Sequence, residues 1–251
     1  LIMPLFTPLA FAWLAFLARS IREFLSERAA KQDTVRAFSR FVNPTVVADL
    51  LKKGGDLSQM KGQSREISIL FSDIRGFTSL SETRQPQEVV DILNRYFTRQ
   101  VEVIFRHKGT MDKFIGDAIM AFWGAPLNDP DHARNAVNAA LEMAEVMLDF
   151  RKELPGELAQ EFDIGIGIHT GPAVVGFIGS VNKLDYTAIG DSVNLASRIE
   201  GATKGVARVL VSEATRAACG ELFSFADRGS FKAKGREQEV RLYEPGVANN
   251  A

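Results

Sequence analysis

Two short apolar runs in this chain each finish on one carboxylate, and that pattern constrains the fold more than any other feature. Ile67-Ser68-Ile69-Leu70-Phe71 has strand composition and leads through Ser72 to Asp73, with Gly76 shortly after. Lys113-Phe114-Ile115-Gly116-Asp117 repeats the arrangement with the glycine ahead of the acid. Apolar, β-branched and aromatic runs bounded by glycine turns read as strands, so both carboxylates are expected at strand ends. An Asp there also serves as an ordinary turn former or helix cap. A pair of them suits hard divalent cations such as Mg²⁺, which take oxygen ligands and keep positions open for phosphate oxygens. Two such ions about 3.5–4 Å apart can clamp the attacking and leaving oxygens of an in-line displacement.

A third stretch lies downstream. Asp185-Tyr186-Thr187-Ala188-Ile189-Gly190 reads as a strand end running into a helix, with Asp191 or Ser192 as its N-cap. Asn194 and Arg198 are four apart and share one face of that helix. An amide able to hold a ribose and a guanidinium able to hold a phosphate would then point the same way, although a solvated surface pair has the same spacing.

Phe71-Ser72-Asp73-Ile74-Arg75-Gly76-Phe77-Thr78, the segment from Lys113 to Asp117, and Tyr186 through Arg198 together resemble the three signature stretches of class III nucleotidyl cyclases, in order and at similar spacing from about Arg65 to Tyr243. The resemblance implies that Asp73 and Asp117, with the Ile74 backbone, bind two Mg²⁺ or Mn²⁺ ions per active site. It implies that Lys113 and Thr187 read the purine, that Asn194 orients the ribose and that Arg198 stabilises the pentavalent phosphorus. It further implies a homodimer with shared sites, metal ligands coming from one protomer and the other groups from its partner.

Adenine offers an acceptor at N1 and a donor at its exocyclic amine, which an ammonium and a hydroxyl can complement. Guanine reverses both groups. Guanylyl members tend to carry Glu and Cys at these two places, whereas many adenylyl members have Asp where this chain has Thr187. The resemblance therefore implies ATP as substrate, cyclised to 3′,5′-cyclic AMP and pyrophosphate. A guanylyl cyclase and a degenerate nucleotide-binding signalling module without turnover are the alternatives. No His or Glu of the motifs is an obvious general base. Backbone amides of Gly76, Phe77 and Thr78 form a turn suited to anions, and Lys234 and Lys183 are candidate phosphate contacts for which a surface role reads equally well.

Other signals are bland. Gly165-Ile166-Gly167-Ile168-His169-Thr170-Gly171 lacks dinucleotide-fingerprint spacing and a P-loop lysine, and its glycines suggest close helix packing. His107, His132 and His169 show no zinc spacing. A net charge of −1 gives no basic footprint for nucleic acid. One cysteine excludes an intrachain disulfide framework.

Residues 1–18 carry no charge and read as the end of a transmembrane helix; Arg19, Arg22, Arg28 and Lys31 follow, marking the cytoplasmic side. A buried core or dimer helix also fits. Residues 19–60 read as a helical coupling linker, with Ile21, Phe24, Leu25, Val35, Phe38, Phe41 and Val42 as its apolar stripe. The expectation is a cell-membrane protein, tethered through this helix, with a cytoplasmic catalytic domain at residues 61–246 governed by an upstream sensor. Within that domain the pattern predicts strand 65–72, helix 86–107, hairpin 110–123, helix 130–153, strands 162–170 and 173–179, strand 184–188, helix 191–203, strand 208–211, helix 212–219 and a terminal hairpin. A β-α-β-β-α-β core of this kind is a ferredoxin-like α+β fold.

Overall fold

The computed structural model describes residues 13–17, 19–22, 62–180, 182–232 and 239–247. The chain divides into two units, residues 1–47 and 48–251. In the first unit residues 13–17 and 19–22 are helical, with Trp13, Leu14, Phe16, Leu17 and Ile21 exposed. Among the described residues no helix is long and apolar enough to cross a membrane. The rest of the expected membrane segment, the coupling linker from residue 23 to its end, and Lys234 lie outside the described residues.

In the second unit the elements run β1 (Gln63–Arg75), α1 (Phe77–Thr83), α2 (Pro86–Arg106), β2 (Thr110–Ile115), β3 (Ala118–Trp123), α3 (His132–Arg151), α4 (Gly156–Glu161), β4 (Asp163–Ser180), β5 (Lys183–Ile189), α5 (Asp191–Gly201), β6 (Val209–Ser212), α6 (Glu213–Cys219), β7 (Phe223–Phe231) and β8 (Val240–Val247). The sheet order is β2-β3-β1-β4-β6-β8-β7, with β5 paired to β4 alone. Its first four strands, with α2 and α3 as crossovers, are the βαββαβ core expected from sequence.

Burial follows from strand alternation. Leu70 and Ile74 of β1 turn to the face where Tyr96, Val103 and Ile104 of α2 and Val137, Met143 and Met147 of α3 bury their side chains. Ile67, Ile69 and Phe71 turn to the other face, with Met120 and Phe122 of β3, Val175 of β4, Ala188 of β5 and Ala196 of α5. That opposite-face sorting is the period-2 geometry of a central strand covered on both sides. Pro86 opens α2 at a position where a missing N–H costs nothing.

Two features differ from the sequence expectation. Residues 162–170 and 173–179 form one strand, since Pro172 keeps register with Glu66. The Pro172 carbonyl accepts the Ser192 hydroxyl at 2.7 Å on the edge away from β1, and a strand residue's N–H points to the same side as its C=O, so the lost donor falls outside the β1 ladder. The short helices α1 and α4 were not expected. Ahead of α3, whose N-cap residue is Asp131, the Asp129 carboxylate accepts the Asp131 amide at 3.0 Å and the Asn135 side-chain amide at 2.8 Å.

Candidate active site

Asp73 lies near the end of β1, on the face shared with α5, and Asp117 lies just past the Gly116 turn between β2 and β3. Gly116 takes φ 65°, a left-handed value that favours glycine. The two carboxylates come within hydrogen-bonding reach of each other. Burial, and then the Asp73 carboxylate beside it, push the Asp117 carboxyl up to about 6, while the Ile74 amide and Asp117's own amide favour its charged form. Among the described residues no three His, Cys, Asp or Glu side chains cluster as a cation site. The oxygen-only pair nevertheless fits a hard divalent cation, whose arrival would relieve the same repulsion that holds the proton.

Sequence reasoning passed over a third acid. Asp73 pairs with Gly165 in the β1–β4 ladder, and a Cβ on Gly165 would lie 2.8 Å from Glu200 Oε1 and 2.3 Å from Thr203 Oγ1. The glycine is what admits α5 there, and a Cβ on Gly167 would lie 2.0 Å from the Glu200 backbone nitrogen. Close helix packing on these strand glycines was expected. The consequence, a half-buried Glu200 beside the Asp73–Asp117 carboxylate pair, was not. Burial first, and the Asp73 and Asp117 charges, push its carboxyl up to about 7 against the pull of Arg75. Arg75 in turn donates to the Thr203 and Ala207 carbonyls at 3.1 and 2.8 Å, tying the end of β1 to the loop after α5.

Lys113 and Thr187, 74 residues apart, meet: Lys113 Nζ donates to Thr187 Oγ1 at 3.2 Å. The β4–β5 hairpin folds back over β2 and β3, with Tyr186 against Phe122 at 6.2 Å between ring centroids. A residue missed in the sequence completes the group. The β2–β3 register slips between Met111 and Lys113, so Lys113 shares a cross-strand face with Met120 rather than Ala121. The neighbours Asp112 and Lys113 thereby both reach Thr187. Asp112 Oδ2 accepts the Thr187 hydroxyl at 2.6 Å and the Ala188 amide at 3.4 Å, its side chain 0% exposed. Asp112 Oδ1 lies 3.2 Å from Lys113 Nζ, an ion pair without aligned hydrogen-bond geometry. Burial raises the Asp112 carboxyl, with Thr187 and then Lys113 pulling it back.

On α5, Ser192, Leu195, Ala196 and Ile199 are buried against the sheet, while Asn194 is exposed and Arg198 half-exposed on the outward side. One chain thus brings Asp73 to Asp117 and Lys113 to Thr187, and turns Asn194 and Arg198 away from the sheet face that carries Asp73. Gly76, at φ 74°, leads into α1, whose first-turn amides at Phe77 and Thr78 lack helical acceptors. Lys183 sits at the turn of the β4–β5 hairpin, 80% exposed and 3.9 Å from Asp185, four residues from Thr187. The three histidines are held within the fold: His107 by Glu142, His132 by Ser68 and His169 by Ser212.

Residues 60–244 match the family model described as the adenylate and guanylate cyclase catalytic domain. The chain belongs to that family. It is 39% identical over 217 residues to adenylate cyclase 1 of Rhizobium meliloti, an alignment covering 85% of this chain and 32% of that protein. The chain thus spans about a third of that relative's length. Among solved structures, the guanylyl cyclase Cya2 superposes with TM-score 0.71 at 39% identity, over 76% of this chain and 97% of that one. The adenylyl cyclase CyaB from P. aeruginosa gives TM-score 0.70 at 32% identity, over 76% and 98%. One neighbour of each base preference matches almost equally well, so base choice must be argued from residues.

Proposed function

We propose that this cyclase-family domain converts ATP to 3′,5′-cyclic AMP and pyrophosphate, at sites shared between two copies of the chain. The observation that carries the reading is the Lys113–Thr187 contact at 3.2 Å, which places a cationic donor and a hydroxyl side by side as adenine's N1 and exocyclic amine require. Against guanine, a buried donor facing N1–H would stay unpaired at a cost of about 1–3 kcal/mol.

The ribose 3′-hydroxyl attacks the α-phosphorus and pyrophosphate leaves. Asp73 and Asp117 would hold Mg²⁺ or Mn²⁺, which when bound lower the hydroxyl's pKa and neutralise phosphate charge. Asn194 orients the ribose and Arg198 faces the charge that builds on the phosphorus. The amides of Gly76, Phe77 and Thr78 bind the triphosphate, with Lys234 reaching the terminal phosphates. Because α5 turns Asn194 and Arg198 outward, a second copy must bring its own pair to the first copy's carboxylates, which supports a homodimer. The uncharged residues 1–18 ahead of Arg19, Arg22, Arg28 and Lys31 support a membrane tether with the domain on the cytoplasmic side, downstream of a sensor.

Steady-state assays of the purified protein with ATP and GTP, each with Mg²⁺ and Mn²⁺ and with product identified by chromatography, test this. Cyclic AMP formation favoured in kcat/KM is expected. Preferred cyclic GMP formation would make it a guanylyl cyclase, and binding without turnover a signalling module.

A further inference from the structure

A hydroxyl alone cannot choose between adenine and guanine at the purine 6-position. It can accept from an amino group or, by rotating, donate to a carbonyl. Thr187 is not alone. Its Oγ1 lies 2.6 Å from Oδ2 of Asp112, and an ionised carboxylate can only accept, so the hydroxyl proton belongs to that bond. Lys113 Nζ, 3.2 Å away, occupies one lone pair of the same oxygen. What Thr187 has left to offer a ligand is its second lone pair.

We propose that Asp112 is a positioning residue for base selection, holding the hydroxyl proton of Thr187 so that Thr187 meets the base as an acceptor and favours a 6-aminopurine over a 6-oxopurine. The inference rests on the reading of Lys113 and Thr187 as base contacts. Its geometric basis is the register slip in β2, without which Lys113 would lie opposite Ile119, on the other side of the sheet. Alternation from Thr110 already places Asp112 on the Thr187 side, and the slip adds Lys113 to it. The carboxylate is held there by the Ala188 amide at 3.4 Å and by Lys113 at 3.2 Å, so it is a fixed acceptor and not a mobile one. The ammonium has three protons. One goes to Thr187 and the charge is balanced by Asp112 Oδ1 at 3.2 Å, which leaves a proton for a ring nitrogen such as adenine N1.

The test compares wild type, Asp112→Asn, Asp112→Leu, Thr187→Val and the Asp112→Leu/Thr187→Val double variant. It reads kcat/KM for ATP and GTP and equilibrium binding of 3′-deoxy-ATP and 3′-deoxy-GTP, which cannot cyclise. Asp112→Leu should lower the ATP:GTP ratio about tenfold, in binding and in turnover, the size expected for one freed hydrogen-bond polarity. Asp112→Asn, oriented with its amide oxygen toward Thr187, should retain the ratio. In the Thr187→Val background Asp112→Leu should change the ratio no further, because its route through the hydroxyl is gone. A loss equal for both nucleotides, or an effect of Asp112→Leu that persists without the Thr187 hydroxyl, would overturn the assignment. If the leucine variant does not fold, Asp112→Ser keeps a polar group but frees the proton's direction, and it too must relax the ratio or the assignment fails. Wild type that cyclises neither nucleotide would count against the cyclase reading alone, since the binding ratios still decide the role of Asp112.

Discussion

Asp73 faces Gly165 directly across the β1–β4 ladder, and the missing side chain of that glycine is filled by Glu200 of α5 and by Thr203 just after it. The carboxylate pair, the glycine strand and the helix that carries Asn194 and Arg198 are therefore parts of one packing arrangement. The Asp73–Asp117 pair and α5 cannot shift independently while Arg75 also anchors the loop after α5.

Filling that space should be costly. In Gly167→Ala the new methyl would lie 2.0 Å from the Glu200 backbone nitrogen, which no side-chain rotation can relieve. Displacing the helix should cost about 1–3 kcal/mol, typical of overpacking. Urea unfolding of this variant should show a lower midpoint. Activity should fall more than stability predicts, because α5 carries Asn194 and Arg198.

The acids set a pH dependence with a definite sign. Asp117 is raised from 3.8 to about 6 and Glu200 from 4.5 to about 7. The folded state holds more protons than the unfolded chain between these values, so without metal, stability falls as pH rises from about 4 through about 7. Thermal unfolding in chelator should show that decline. Added Mg²⁺ should offset it most at the alkaline end, where the paired carboxylates are both charged. The same competition predicts weaker metal binding below about pH 6, measurable by calorimetry with Mn²⁺.

Base choice should follow the two readers. Lys113→Glu with Thr187→Cys replaces the donor for adenine N1 by an acceptor for guanine N1–H, and should move kcat/KM toward GTP by roughly one to two decades. Total rate should drop, since the pocket is not shaped for guanine. An unchanged ratio in an active double variant would show that these residues do not read the base.

What could be read from the chain follows what strand and helix periodicity encode. Asp73 and Asp117 end apolar runs, Asn194 and Arg198 share a helix face, and Lys113 and Thr187 fall within family motifs. Each needed only local pattern. Asp112 escaped because strict alternation puts sequence neighbours on opposite faces, and a one-residue slip cancels that rule. Glu200 escaped because its environment depends on which strand residue lies beneath α5, a long-range fact that helical spacing does not contain. The continuity of β4 through Pro172 likewise depends on which edge of the strand is paired.

The shared site is the central claim, and complementation tests it most directly. Asp73→Ala removes a metal ligand and Arg198→Ala removes the guanidinium, so each homodimer should be inactive. Mixed, they should form heterodimers with one site intact and one doubly damaged. The account predicts activity returning to at most about half of wild type per heterodimer, with cyclic AMP as product. A mixture that stays inactive while heterodimers are demonstrated by differential tagging would contradict it.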